Sequence, residues 1–187
     1  METEEFWALL DESREAADGD TGRQTELLTA ALARRTPQDI VSFDALFHTT
    51  RARGYSWDLW AVGYLAAGGG MSDDAFGDFR AYLIGRGKEV WDRAVEDPDS
   101  LTDALGDDPD EAIGESEGLA YAAAKAYEQS TGSEMPAPTG TDDEDGDTED
   151  DATGEPSGLP WDENEPKDLA KRFPNAWAKW GEDDAGS

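Results

Sequence analysis

At 187 residues the chain is long enough for one domain with residues to spare. Its 45 acidic and 15 basic residues give a net charge of −30, which argues against binding a nucleic-acid backbone or an anionic membrane and favours basic partners. There is no cysteine, so disulfides, thiol catalysis and cysteine-ligated zinc or iron–sulfur sites are excluded.

The opening METEEFWALLDE has no basic n-region and no long apolar stretch. No signal peptide is expected there, and the chain reads as cytoplasmic. No segment approaches the roughly 18 apolar residues of a membrane helix. Seven tryptophans and an aromatic share of 10% call for a real core, because a purely disordered acidic chain has few aromatics. The charge alone also fits a setting in which acidic proteins are general.

Helical signals follow one another along the chain. Phe6, Leu9, Leu10 and Ala17 form an apolar stripe, with Glu4 and Glu5 in the first turn, where the macrodipole favours acids. Thr21 and Gln24 have capping-box spacing ahead of Leu27, Leu28, Ala31 and Leu32. Thr36-Pro37 pairs an N-cap with a proline at the first helical position, followed by Ile40, Phe43, Leu46 and Phe47. Arg53-Gly54-Tyr55 ends that helix, and Ser56 caps the next, whose stripe is Trp57, Trp60, Tyr64 and Ala67. Gly68-Gly69-Gly70 stops it, and Ser72 opens another, with Asp73 and Asp74 in its first turn and Phe76, Phe79 and Leu83 on one face.

Gly85 and Gly87 mark a break before a short helix carrying Val90, Trp91, Ala94 and Val95. That helix ends before Asp97-Pro98, and Ser100 starts a further turn. Glu115 to Gln129 reads as one last long helix with Leu119, Ala123 and Tyr127 inward. Period-2 alternation is nearly absent, so the fold class is all-α.

The charge is unevenly spread. Residues 1–130, the expected helical domain, hold 28 acids and 11 bases, a net −17. Residues 131–158 hold 10 acids and no base, with Met135 the single large apolar residue. Such a stretch buries too little to offset its chain entropy, and a disordered acidic linker is expected. Residues 159–182 are different: LPWDENEPKDLAKRFPNAWAKW carries three tryptophans, a phenylalanine and several bases. Trp161, Phe173, Trp177 and Trp180 mark a docking segment, with the tethered helical domain its simplest target. An external partner is the other reading.

Candidate chemistry is thin. Asp73 and Asp74 suit a helix N-terminus, and in a sharper reading a metal or general-acid site. Asp97 and Asp99 would join them in a magnesium or calcium site only if the fold brought the pairs together; the spacing is not that of an EF-hand, and a turn with flanking caps explains it as well. Gly68–Gly70 lacks the lysine and hydroxyl residue of a phosphate loop. A lone His48 excludes a histidine-based metal site and a Ser/His/Asp triad. Arg80, among Phe76, Phe79 and Tyr82, should find a carboxylate or a ring, and reads as an internal ion pair or an anion-binding group. The Trp57/Trp60/Tyr64 stripe is core or the wall of a pocket. No cofactor is expected.

The strings FWALLDESR, YSWDLWAVGYLAAGGGMSDDAFGDFRAYLIGRG and DPDSL together resemble the bacterial family grouped as domain of unknown function 4240, common in actinobacteria. The terminal RFPNAWAKW is similar to the end of that pattern, so the resemblance covers most of residues 4–130 and then 159–180. The positions that carry it are Phe6, Trp7, Asp11, Trp60, Asp73, Asp74, Phe76, Phe79, Arg80, Asp97, Pro98, Asp99 and Ser100. The resemblance implies no established activity and no catalytic residues, and some members look related to regulators carrying a tryptophan-glycine-arginine domain.

Three functions are therefore expected in descending order. The first is a non-enzymatic regulatory protein that binds a basic protein, in the manner of an inhibitor or immunity protein. The second is an enzyme or ligand binder with a cleft built on Trp57, Trp60, Asp73, Asp74, Phe76, Arg80, Asp97 and Asp99. The third is a nucleic-acid mimic using the carboxylates of the linker, which deletion of residues 136–156 would abolish.

Overall fold

The computed structural model describes residues 1–136, 154–162 and 166–181. Among them the protein is all-α; the nearest thing to a strand is one isolated parallel bridge between Ser56 and Ser157. The larger part of the expected acidic linker, residues 137–153, lies outside the described residues.

Helix α1 (Thr3–Ala17) buries Phe6, Trp7, Leu9, Leu10 and Ala17 and packs on α2 (Thr21–Leu32). The cap of α2 corrects the capping-box expectation. Asp20, one residue earlier, accepts the Arg23 N–H at 2.7 Å, and Thr21 is already helical. Gln24 does not turn back to a cap. Its buried amide donates to the carbonyls of Gly85 at 2.8 Å and Leu10 at 3.4 Å, tying α2 to α1 and to a segment 61 residues further along the chain. A buried amide without such partners would be costly, so the long-range bonds override the local one.

Helix α3 (Pro37–Arg53) starts at the Thr36 cap and buries Ile40, Phe43 and Phe47, with Leu46 half-buried. The Thr36 hydroxyl also bonds Asp39 at 2.6 Å and holds its carboxyl below the usual range. Helix α4 (Trp57–Ala66) starts at Ser56, whose Oγ accepts the Leu59 N–H at 3.2 Å. Its most buried residues are Leu59, Ala61, Val62, Leu65 and Ala66, so the expected stripe of Trp57, Trp60 and Tyr64 is the half-buried flank rather than the deep face. All three glycines after α4 take positive φ, +67°, +95° and +73°, which ends the helix sharply.

Helix α5 (Asp73–Gly85), capped by Ser72, is the central element: Phe76 through Gly85 are buried apart from Asp78. It contacts α1, α3, α4 and α6 (Lys88–Glu96), and also α7 (Asp110–Gly114) and α8 (Glu117–Ala120). It comes so near to α4 that a methyl group on Gly63 would sit 2.7 Å from Phe79 Cδ1 and 2.9 Å from Met71 Sδ. Burial pushes the Tyr82 phenol above its ordinary value, against a smaller opposing effect of Arg86.

Two expectations fail beyond α5. The turn after Asp97 begins at Pro98 as a 3-10 turn, Pro98–Asp103, and Ser100 sits inside it, donating to the Asp97 carbonyl at 2.7 Å. The single helix expected over Glu115–Gln129 is instead two, α8 and α9 (Ala122–Thr131), with α7 ending just before it at Gly114. Gly114 and Gly118, poor helix formers, flank the first break, and buried Ser116 turns its hydroxyl to the Ala112 carbonyl there at 2.7 Å. Leu119 and Ala123 are buried as expected, and Tyr127 is half-buried.

The C-terminal segment lies on the same core. It forms α10 (Leu169–Arg172) and α11 (Pro174–Trp180), and α11 runs against α4 and the 3-10 turn. Leu169, Phe173 and Ala176 are buried, at about 1.5–3 kcal/mol for the burial of each large side chain.

Candidate functional site

Part of the expected cleft is brought together, but as a packed stack. The Ser56 cap sets Trp57 and Trp60 on one flank of α4, where their rings stack 5.5 Å apart at 12°. Trp60 stacks in turn on Phe76, 4.8 Å away at 12°, and its indole donates to the Met71 carbonyl at 3.2 Å. The Arg80 guanidinium lies 4.7 Å from the Phe76 ring centre and 4.9 Å from that of Tyr55. It is fully buried, and donates from Nε to the Phe76 carbonyl and from Nη1 to the Arg51 carbonyl, both at 3.4 Å. A buried cation needs such ring faces and carbonyls to replace its water. The Tyr55 hydroxyl continues the chain of contacts by donating to Asp73 at 3.3 Å.

Asp97 and Asp99 go elsewhere. Asp97 is exposed, and its carbonyl receives the Ser100 N–H. Asp99 is 9% exposed and faces the first turn of α11. One carboxylate oxygen accepts the Asn175 N–H at 3.2 Å and its side-chain amide at 2.9 Å; the other accepts the Ala176 N–H at 2.8 Å. The residue in the cap position of α11, Phe173, has no side-chain oxygen to offer, so an aspartate from another element caps that helix.

Around this contact the segment is anchored along its length. Ser157 donates to the Tyr55 carbonyl at 3.1 Å and accepts from Trp57 N–H at 2.9 Å. Trp161 meets the Tyr64 ring 4.7 Å away. Arg172 pairs with Asp58 and donates to the Leu159 and Pro160 carbonyls. Lys179 donates to the carbonyls of Thr102 at 2.6 Å and Leu105 at 2.7 Å, with Asp107 at 3.5 Å. Trp177 and Trp180 are half-buried, and the Trp180 indole donates to the Gly106 carbonyl at 3.3 Å.

Asp73 and Asp74, both exposed, line a different feature. This is a concavity of about 90 Å³ with Asp78, Gly77, Glu117, Ala120, buried Arg51 and exposed Tyr121. Neither Asp97 nor Asp99 reaches it. A larger groove of about 700 Å³ at the start of α6 carries both charge signs, among them Arg14 with Asp11 at 3.2 Å and Lys88 paired with Asp92. Among the described residues no three carboxylates or histidines stand close enough to hold a metal ion, and His48 sits 3.4 Å from Asp44.

Several participants escape a reading of the sequence. Arg51, Tyr55, Asp58 and Asn175 carry no local signature, because each acts on an element distant along the chain. The one available signal was Phe173-Pro174-Asn175, a helix start with proline at its first position and no capping residue before it.

Fold and site together define an acidic helical domain that holds α10 and α11 of its own chain, whose residues 169–180 carry three bases and no acid, on α4 and the 3-10 turn. Residues 1–129 match the family described as protein of unknown function (DUF4240), and the chain belongs to that family. The matched residues include every expected cleft residue and stop short of the C-terminal segment. No curated protein and no solved structure matches the chain.

Proposed function

We propose that this chain is a non-enzymatic interaction protein whose acidic helical body binds a basic protein partner, as an inhibitor or immunity-type protein does. A cytoplasmic setting in an actinobacterial host belongs to the same proposal. The observation that carries it is the body's treatment of the basic residues of α10 and α11: Asp58 takes Arg172, and Lys179 is taken by two carbonyls and Asp107. The net −17 of residues 1–130 adds long-range attraction for such a partner and speeds its encounter.

The reading of an enzyme or ligand-binding cleft has less support. It needs the polar groups to converge on one pocket, whereas Asp99 serves α11 and Asp73 lines a separate concavity. The test is co-purification of the full chain from its host cells at about 50 mM and about 500 mM salt. A basic protein recovered at the lower salt and lost at the higher supports the proposal. Recovery of no basic protein at low salt, or capture indifferent to salt, removes it.

A further inference from the structure

The C-terminal segment shows what the groove on α4 and the 3-10 turn can hold. Asp99 asks for a helix N-terminus, because its oxygens take two backbone N–H groups and an asparagine amide from a first turn. Pro174 suits that turn, having no N–H to leave unused. Phe173 fills a buried position, and Ala176 is fully buried. One turn on, the Thr102 and Leu105 carbonyls take an ammonium, and the Gly106 carbonyl takes an indole N–H. The groove thus reads aromatic, proline, asparagine, alanine, then lysine and tryptophan three and four residues later.

The groove and its occupant belong to different parts of the chain. Asp58, Asp99, Thr102, Leu105, Gly106 and Asp107 all lie within the family-matched residues 1–129, and the segment that fills the groove lies outside them. The receptor surface therefore lies within the family-matched residues, and its occupant in the tail beyond them.

We infer that the groove is a recognition site for a short basic helical segment of this pattern, that the partner docks there, and that the tail is its resident competitor. The inference rests on the reading of the chain as a binder of a basic protein. A tethered occupant acts at an effective concentration of about a millimolar, so a partner segment binds weakly until the tail is displaced.

The experiment uses the full chain with a specific protease site placed between residues 140 and 150. The probe is a labelled synthetic peptide of residues 166–181. Intact chain takes up the probe weakly; after cleavage the chain exchanges its own fragment for the probe and binds it at least tenfold more tightly. Asp99→Ala in the cleaved chain loses at least tenfold of that binding. The inference is overturned if the cleaved chain keeps its fragment and takes no probe, if the Asp99→Ala chain binds the probe equally well, or if cleavage unfolds the body. Uncleaved Phe173→Ser chain, with its tail weakened, provides a second measurement: it should bind the probe more tightly than wild type, and equal binding counts against the inference. Probe binding without any basic partner in cells would leave the groove standing and remove the partner. A salt-sensitive partner that binds Asp99→Ala as tightly as wild type would do the reverse.

Discussion

Asp99 caps a helix that begins 75 residues later in the chain, holding the Asn175 and Ala176 N–H groups at 3.2 and 2.8 Å. That single carboxylate takes three donors from the C-terminal segment, two backbone N–H groups and the Asn175 side-chain amide. Removing the carboxylate leaves those donors buried or half-buried without an acceptor. Asp99→Ala should therefore cost about 1–3 kcal/mol in urea unfolding. Amide hydrogen exchange of residues 174–180 should quicken at the same time, while that of α5 changes only with global stability. Asp99→Asn, which keeps one acceptor oxygen, should lose less.

Two glycines make a paired prediction. Gly63 faces Phe79 and Met71 closer than any Cβ tolerates, so Gly63→Ala should destabilise by about 1–3 kcal/mol through overpacking. Gly77 has nothing within 4 Å of the position a Cβ would take and lies mid-helix in α5. Gly77→Ala should therefore stabilise by about 0.5–1 kcal/mol. Thermal or urea unfolding of both variants checks the opposite signs.

Tyr82 sets an alkaline limit. Its phenol titrates above the ordinary value because burial disfavours the phenolate. An acid with a raised folded value contributes stability that is complete below its unfolded value of about 10 and is lost as pH climbs through the folded value. Unfolding free energy should fall from about pH 10 upward. Tyr82→Phe, which cannot ionise, should flatten that fall in a urea series at pH 8 to 11.

Much of the fold was legible because its signals are local. The caps at Thr36, Ser56 and Ser72 and the stop at Gly68–Gly70 each combine a few adjacent residues, and the structure bears them out. At α2 both Asp20 and Thr21 are competent caps, and the choice fell to Asp20 because Gln24 is drawn into bonds with Leu10 and Gly85. The long helix over Glu115–Gln129 failed because its apolar period continues across the breaks before Glu117, where buried Ser116 turns its hydroxyl to Ala112, and at Tyr121. The candidate site was legible only in its α4 and α5 members: Trp57, Trp60, Phe76 and Arg80 lie on neighbouring helices and meet. That Asp99 faces Asn175 is a matter of tertiary packing, and no spacing in the sequence encodes it.

The central claim is that the acidic body attracts and binds a basic protein. The most direct measurement is the association rate of the co-purified partner with the immobilised full chain as salt is raised from about 10 to about 500 mM. The account predicts a fall of tenfold or more, with a smaller change in the dissociation rate. An association rate unchanged across that range would contradict it.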